Sequence, residues 1–181
     1  MNRENDTVLQ VMQKKGDFEL RLDPFYPDSN LKELGPYKYF ANNGTYFGQY
    51  KNGKRNGFGK QVWLDGSCYE GQWENDMASR KGRLIHSDGG CYIGYWVEDK
   101  ANGYGEFTDL EGIHFKGNWV NDMRDGHGEE NFIDGAKYEG QYLKGIKHGK
   151  GVFEWADGSV YTGDFKNNDL DGTGMFLSYF F

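Results

Sequence analysis

Among the side chains of this 181-residue chain able to move protons, attack carbon or hold a metal are four histidines, two cysteines and 28 carboxylates. His86, His114, His127 and His148 stand at no ligand spacing from a cysteine or a carboxylate, so no metal site is expected. Glu129 and Glu130 are consecutive, and on a strand consecutive side chains point to opposite faces, which denies them a shared substrate as an acid/base pair. The stretch GIKHGKG, Gly145 to Gly151, has the glycines and lysine of a phosphate-cradling loop. Its first glycine is one residue too close to Lys150, and Gly151 stands where a Ser or Thr is required. Gly103 opens GYGEFT, but no helix start follows it and no dinucleotide site is expected. The chain reads as a non-enzyme with no cofactor, no metal and no small-molecule substrate.

Charge offers a second kind of chemistry. Lys51, Lys54, Arg55, Lys60, Arg80, Lys81 and Arg83 gather enough basic groups to contact an anionic partner, a phosphoinositide headgroup included. Against that, the formal charge is -7, and phosphate neutralisation needs clustered Lys and Arg, so general nucleic-acid binding is not expected. No run approaches the roughly 20 apolar residues of a membrane span, and MNRENDTVLQ lacks the apolar stretch of a signal peptide. A reducing, cytoplasmic setting is expected.

The elements that carry these residues are set by a repeat. Tyr46, Tyr69, Tyr92, Phe115, Tyr138 and Tyr161 each open aromatic-x-Gly-x-aromatic, 23 residues apart without insertion, and a Gly-x-Gly follows. Aromatic, glycine and second aromatic fall at i, i+2 and i+4, one face of a strand. Gly57, Gly59, Gln61 and Trp63 keep the same period on a second strand, so each unit is a hairpin. Polar loops such as KNGKRN join the two strands, and tight-turn pairs (Asp65-Gly66, Asp88-Gly89, Glu111-Gly112, Asp134-Gly135, Asp157-Gly158) lead to the next unit. The expectation is an all-β, elongated, single-layer antiparallel meander of six 23-residue hairpins, twelve strands spanning roughly 55 Å. A bare glycine leaves backbone uncovered, and a ring on the neighbouring strand covers it. Arg80 stands where unit two should have its first glycine of Gly-x-Gly, so a side chain occupies backbone that is bare elsewhere. Cys68 and Cys91 share a column two strands apart, about 9.6 Å, too far for a disulfide.

This combination of motifs and period resembles the MORN (membrane occupation and recognition nexus) repeat, over about 70% of the chain by the span of the six units. The stretch LGPYKYFANNGTYFGQYKNGKRNGFGKQVWLDGSCYEGQW is similar to MORN proteins of ciliated protists and of radial-spoke-head type. That resemblance implies a place in a ciliary, axonemal or other microtubule-associated assembly. It also implies two alternatives, a peripheral membrane module or a regulatory fragment of a larger enzyme.

Residues 37–181 form the expected array, with repeats starting at 46, 69, 92, 115, 138 and 161. In the half-unit before Tyr46, Gly44 sits one residue closer to the aromatic than in later units. Residues 1–36 are an N-terminal extension expected to cap the array's first edge. There, DTVLQVMQKKG reads as a short helix with Asp6 as N-cap, Val8, Val11 and Met12 on one side and Gly16 at its end, and FELRL reads as a strand. At the other end, the apolar MFLSYFF implies either a partner over the last strand or a longer chain.

The aromatic face is the expected site of function. Its columns are Tyr69, Tyr92, Phe115 and Tyr138 beside Tyr46 and Tyr161, and Tyr50, Trp73, Trp96, Trp119, Tyr142 and Phe165. Strand two adds Trp63, Leu84, Phe107, Phe132, Phe153, Trp155 and Phe176. Two readings remain open at this point. In one, the rows form a groove for a partner helix or peptide, since Tyr and Trp dominate binding hot spots. In the other, the rings pack on one another as the repeat's own core and only the margin is free.

Overall fold

A computed structural model describes residues 5–16, 18, 32–39 and 44–178; for 32–39 it describes the backbone. Among the described residues there are one helix, α1 (Asp6–Lys15), and thirteen strands whose order in the sheet is their order in the chain. The fold is the expected antiparallel meander. Two compact units divide it, Met1–Lys100 and Ala101–Phe181.

The first unit holds α1, β1 (Lys32–Tyr39), β2 (Gly44–Lys51), β3 (Lys54–Val62), β4 (Cys68–Glu74), β5 (Met77–Ile85) and β6 (Cys91–Val97). The second holds β7 (Lys100–Thr108), β8 (His114–Val120), β9 (Met123–Asn131), β10 (Lys137–Leu143), β11 (Ile146–Glu154), β12 (Val160–Lys166) and β13 (Asp169–Leu177), with Lys100 the last residue of the first unit. β1 starts inside the segment expected to lie ahead of the array and adds a strand to the twelve. Residues 40–43, where the first turn is expected, and nearly all of FELRL lie outside the described residues.

The two kinds of turn are the reverse of the expectation. KNGKRN is no loop: its Asn52 and Gly53, at φ 52° and 76°, form a two-residue turn, and strand two starts at once with Lys54. Positive φ at both central positions is the mirror-image turn that matches the twist of a hairpin. Asn75-Asp76, Glu98-Asp99, Asn121-Asp122, Lys144-Gly145 and Asn167-Asn168 repeat it. The Asp-Gly pairs sit instead in three-residue loops. In the first of these, Trp63 N donates to Ser67 O across Leu64-Asp65-Gly66, with Gly66 at φ 88°. Two-residue turns also clasp the preceding hairpin. Arg55 N donates to Asp76 Oδ1 at 2.8 Å while Asp76 N donates to Arg55 O at 3.0 Å, and Ala78–Asp99, Ala101–Asp122 and Lys147–Asn168 do the same.

Glycine faces glycine along each unit. Gly48, Gly59, Gly71, Gly82 and Gly94 pair in succession in the first, and Gly105, Gly117, Gly128, Gly140, Gly151, Gly163 and Gly174 in the second. The first-column ring lies over this ladder. A Cβ on Gly59 would sit 2.1 Å from the Tyr46 hydroxyl, and one on Gly82 would sit 2.2 Å from that of Tyr69. The expected ring-over-backbone contact is therefore present, but at the second glycine of Gly-x-Gly.

The first glycine has another task. At Gly57, Gly126, Gly149 and Gly172 the φ is positive, and beside each the register with the preceding strand slips by a bulge. Such a bulge bends the strand and takes a left-handed residue at no steric cost only when that residue is glycine. Arg80 takes the same conformation, φ 58°. What the arginine disturbs is thus backbone strain, and no ring is displaced.

On the opposite face of the first unit α1 packs against part of the sheet. Val8 and Val11 pack on Cys68, Ile85 and Cys91, with Met12 partly buried beside them. Helix and sheet meet over β4–β6, on the sheet's second face and not at its first edge. Asn5, one residue ahead of the expected Asp6, is the N-cap: its Oδ1 accepts from Thr7 N at 3.0 Å, and its Nδ2 donates to Asp65 O and Ser87 O. The tertiary bonds decide between two good capping residues. Both cysteines are free.

Two stability predictions come from this backbone. Replacing Gly82 by Ala forces a methyl into a tyrosine that is 1% exposed and unable to retreat, and a loss of about 2–4 kcal/mol is expected in denaturant melts. Replacing Arg80 by Gly relieves a left-handed arginine, a gain of ~1–2 kcal/mol partly offset by glycine's entropy, so a net rise of about 0.5–1 kcal/mol is expected. Should the melts instead show Arg80→Gly losing more than ~1 kcal/mol, the arginine side chain would hold a bond worth more than the strain.

Candidate functional site

The aromatic columns follow from the register just described. Each first-column ring covers the glycine ladder, and each second-column ring stands against it edge-on. In the first unit the edge-to-face contacts run Tyr46–Tyr50 (5.1 Å), Tyr46–Trp73 (5.5 Å), Tyr69–Trp73 (5.0 Å), Tyr69–Trp96 (5.3 Å) and Tyr92–Trp96 (5.1 Å). In the second they run Phe115–Trp119, Phe115–Tyr142, Tyr138–Tyr142, Tyr138–Phe165 and Tyr161–Phe165, all between 5.0 and 5.4 Å. This is the geometry that ring quadrupoles prefer.

Polar atoms on these rings are spent inside the sheet. Trp73, Trp96 and Trp119 donate their indole N–H to the carbonyls of Gly59, Gly82 and Gly105 at 3.0–3.3 Å. Tyr46, Tyr69, Tyr92, Tyr138 and Tyr161 donate their hydroxyls to the carbonyl three residues on. Burial pushes the Tyr138 hydroxyl up to about 12 and raises those of Tyr69 and Tyr142 further.

The structure therefore closes both columns. Tyr69, Tyr92, Phe115, Tyr138, Trp73, Trp96, Trp119, Tyr142 and Phe165 are buried, the most open of them, Trp119, at 9%, and Tyr50 is half-buried. The ten rings expected to meet a partner pack against one another and against bare backbone. Of the two readings left open by the sequence, this is the packing one for the columns themselves.

What the face leaves open is its margin beside the three-residue loops. In the first unit Trp63, Leu64, Asp65, Ser67, Leu84 and His86 line a shallow hollow of 510 Å³. In the second unit half-buried Phe132, Phe153 and Trp155 run in ring contact to Phe176, at 5.8, 4.7 and 5.5 Å, and Phe176 is 56% exposed. Leu110 and Ile133 stand exposed at the tips of the adjoining loops.

The margin of the second unit rests on a charge cluster that the sequence did not disclose. Glu130, buried, accepts from Tyr142 Oη at 3.0 Å and Lys147 Nζ at 2.8 Å and is paired with Arg124. Arg124 stacks 4.5 Å from the Phe115 ring centre, and Lys147 lies 4.9 Å from that of Phe132. Burial would raise the Glu130 carboxyl, but the Lys147 hydrogen bond and the Arg124 charge outweigh it and hold it below the usual carboxylate range. Its cue in sequence is the 23-residue column: Arg124 and Lys147 share one repeat position, and Glu130 falls where Phe107 and Phe153 stand.

The basic cluster of the first unit is divided. Arg83 is buried, bonded to Glu70 at 2.5 Å and to the Gly16 carbonyl at 2.7 Å. Arg55 lies 4.1 Å over Trp73 and donates to Gln61 and to the Asp76 carbonyl. Neither is presented to a headgroup. Lys51, Lys54, Arg80 and Lys81 are exposed, Lys81 lying 5.3 Å from the Tyr95 ring centre, and Lys60 pairs with Glu70 at 3.1 Å. Histidine does meet carboxylate across strands, His114 with Glu106 at 3.5 Å and His127 with Glu139 at 3.7 Å, both partly open to solvent. Among the described residues no group of three or more His, Cys, Asp or Glu is placed to hold a metal ion.

Glu130 yields a pH prediction. Its folded pKa is depressed, so its contribution is complete above the unfolded value of about 4.3 and is lost as pH falls through the lower folded value. Glu130→Gln is expected to cost about 2–3 kcal/mol at neutral pH and to flatten the acid limb of the stability curve, read by denaturant melts at neutral and acid pH.

Three solved structures are similar to this chain. The G-box domain of the microcephaly protein CPAP, whose structural analysis suggests a role in centriole elongation, is similar at 14% identity over 80% of this chain and 74% of that one, TM-score 0.50. A TCP domain of Drosophila melanogaster SAS-4 (dCPAP), in complex with a proline-rich motif of Ana2, is similar at 11% identity over 85% and 94%, TM-score 0.46. The Danio rerio CPAP TCP10 domain in complex with a STIL peptide is similar at 14% identity over 71% and 57%, TM-score 0.44. No curated protein matches the sequence. A family model, the MORN repeat, matches residues 46–68, 69–91, 92–109, 115–137, 138–160 and 161–179.

Proposed function

The chain belongs to the MORN-repeat family, and from that premise we propose that it is a non-catalytic scaffold which holds a protein partner along the open margin of its aromatic face. MORN repeats serve protein or membrane contacts. The observation that carries the protein reading is the margin itself: rings in contact with one another yet open on one side, mounted on columns that are closed. An interface concentrates its energy in such anchored aromatic residues. The buried columns supply the rigidity and the margin supplies the contact, so the two readings of the sequence divide the face between them.

The charge pattern favours a protein over a lipid surface. Arg55 and Arg83 are engaged within the fold, Lys60 pairs with Glu70, and the exposed cations of that group are Lys51, Lys54, Arg80 and Lys81. Membrane adhesion by scattered basic groups is weak, about 1 kcal/mol for each one near an anionic surface. The cytoskeletal part of the proposal, a ciliary, axonemal or other microtubule-associated assembly, is supported by the radial-spoke-head resemblance and by the fold shared with the CPAP G-box domain.

The test places a photo-crosslinking amino acid at Leu84 or Trp155, on the margin, and at Thr162, exposed on the other face, in tagged protein made in its own cells. Protein adducts from the two margin sites and none from Thr162 are expected. Adducts at Thr162 alone, or flotation of the chain with phosphoinositide vesicles together with no protein adducts, would overturn the reading.

A further inference from the structure

The second unit concentrates the chain's charge imbalance. Residues 101–181 carry fourteen Asp and Glu against seven Lys and Arg, while residues 1–100 carry fourteen of each. Two of those seven cations, Arg124 and Lys147, turn inward onto Glu130, and Lys150 is paired with Asp164 at 2.7 Å. The loops bordering the open ring row bear acids. Asp134 and Asp157 follow Phe132 and Trp155 by two residues each, and their carboxylates are fixed by backbone bonds from Ala136 N at 3.0 Å and Ser159 N at 2.9 Å. An apolar row thus runs beside a negative rim.

We infer that the partner segment held by the second unit is basic and amphipathic, its apolar side on Phe132, Phe153, Trp155 and Phe176 and its Lys or Arg over Asp134 and Asp157. This rests on the reading of the margin as the contact surface and adds the partner's chemistry to it. Complementary potential at a rim steers encounter and rejects wrong partners, and like charge there is penalised. Spacing agrees as well. Successive loops on one edge recur every two strands, about 9.6 Å, and residues seven apart on a helix recur about every 10.5 Å. Basic residues at heptad spacing would meet successive acidic loops.

Asp134 and Asp157 keep their structural bonds when replaced by Asn, which retains the accepting oxygen and removes the charge. The full chain is titrated with two helical peptides of about 18 residues, five turns, with one apolar face and either Lys or Glu at heptad positions on the other. Calorimetry gives affinity, and NMR of the Phe153 and Trp155 side chains gives the place. The Lys peptide is expected to shift those signals, to bind at least about tenfold more tightly than the Glu peptide, and to lose about tenfold with D134N/D157N or on raising salt. Equal affinity for the two peptides, or full affinity in D134N/D157N, would overturn the basic chemistry while leaving the margin as the contact surface. If neither peptide moves the Phe153 and Trp155 signals, the margin itself is not the contact surface and both proposals fail.

Discussion

Everything in this fold depends on one contact, an aromatic ring lying flat on backbone from which the side chains have been removed. A single sheet has no second layer against which to bury a hydrophobic face. Here the sheet's own glycine ladder serves as that layer: Tyr46 closes on Gly48 and Gly59, Tyr69 on Gly71 and Gly82, Phe115 on Gly117 and Gly128. The contact needs glycine opposite glycine, so it fixes strand register, and a slip of one residue would put a Cβ under every ring. Packing and register are specified by the same residues.

The bulge follows from the same constraint. Strand two must bring a second glycine under the ring and still return to a two-residue turn, and a residue with positive φ takes up the difference. The amide just after the bulge would otherwise lie open. In two units a strand-one glutamine accepts it, Gln49 from Phe58 N at 2.8 Å and Gln72 from Lys81 N at 3.1 Å. The glutamine of FGQY and EGQW is therefore part of the repeat's backbone chemistry and is no free surface group.

What the sequence made legible was whatever shows up as period. Twenty-three-residue spacing, two-residue alternation and recurrent Gly gave the meander, the apolar face and the separation of Cys68 from Cys91. Properties of geometry at constant composition stayed hidden. Asn52-Gly53 and Asp65-Gly66 are both good turn pairs, and only the pairing of Lys51 with Lys54 shows which is the tight one. Arg83 reads as a surface cation until register brings Glu70 beside it and the Gly16 carbonyl above it. Likewise the openness of a ring is a matter of its tilt, and the columns closed because each ring of the second turns its edge to a ring of the first.

Constancy and variation are divided among positions by this physics. The first column, the second column and the glycine ladder are bound to one another, and a change in any of them disturbs a neighbour. Positions on strand two that face the same side without touching the ladder are not so bound, and in this chain they differ from unit to unit: Gln61, Leu84, Phe107, Glu130, Phe153 and Phe176 share one place in the repeat. Arg55, Ala78, Ala101, Arg124, Lys147 and Leu170 share another. The first of these places borders the open margin, where a ring row lies in one unit and a tryptophan–leucine hollow in the other, and the second lies at the other end of the strand, beside the two-residue turns. An array built this way gives each repeat the same frame and a different set of side chains at its edge, so that neighbouring repeats are alike in backbone and distinct in the surface they carry.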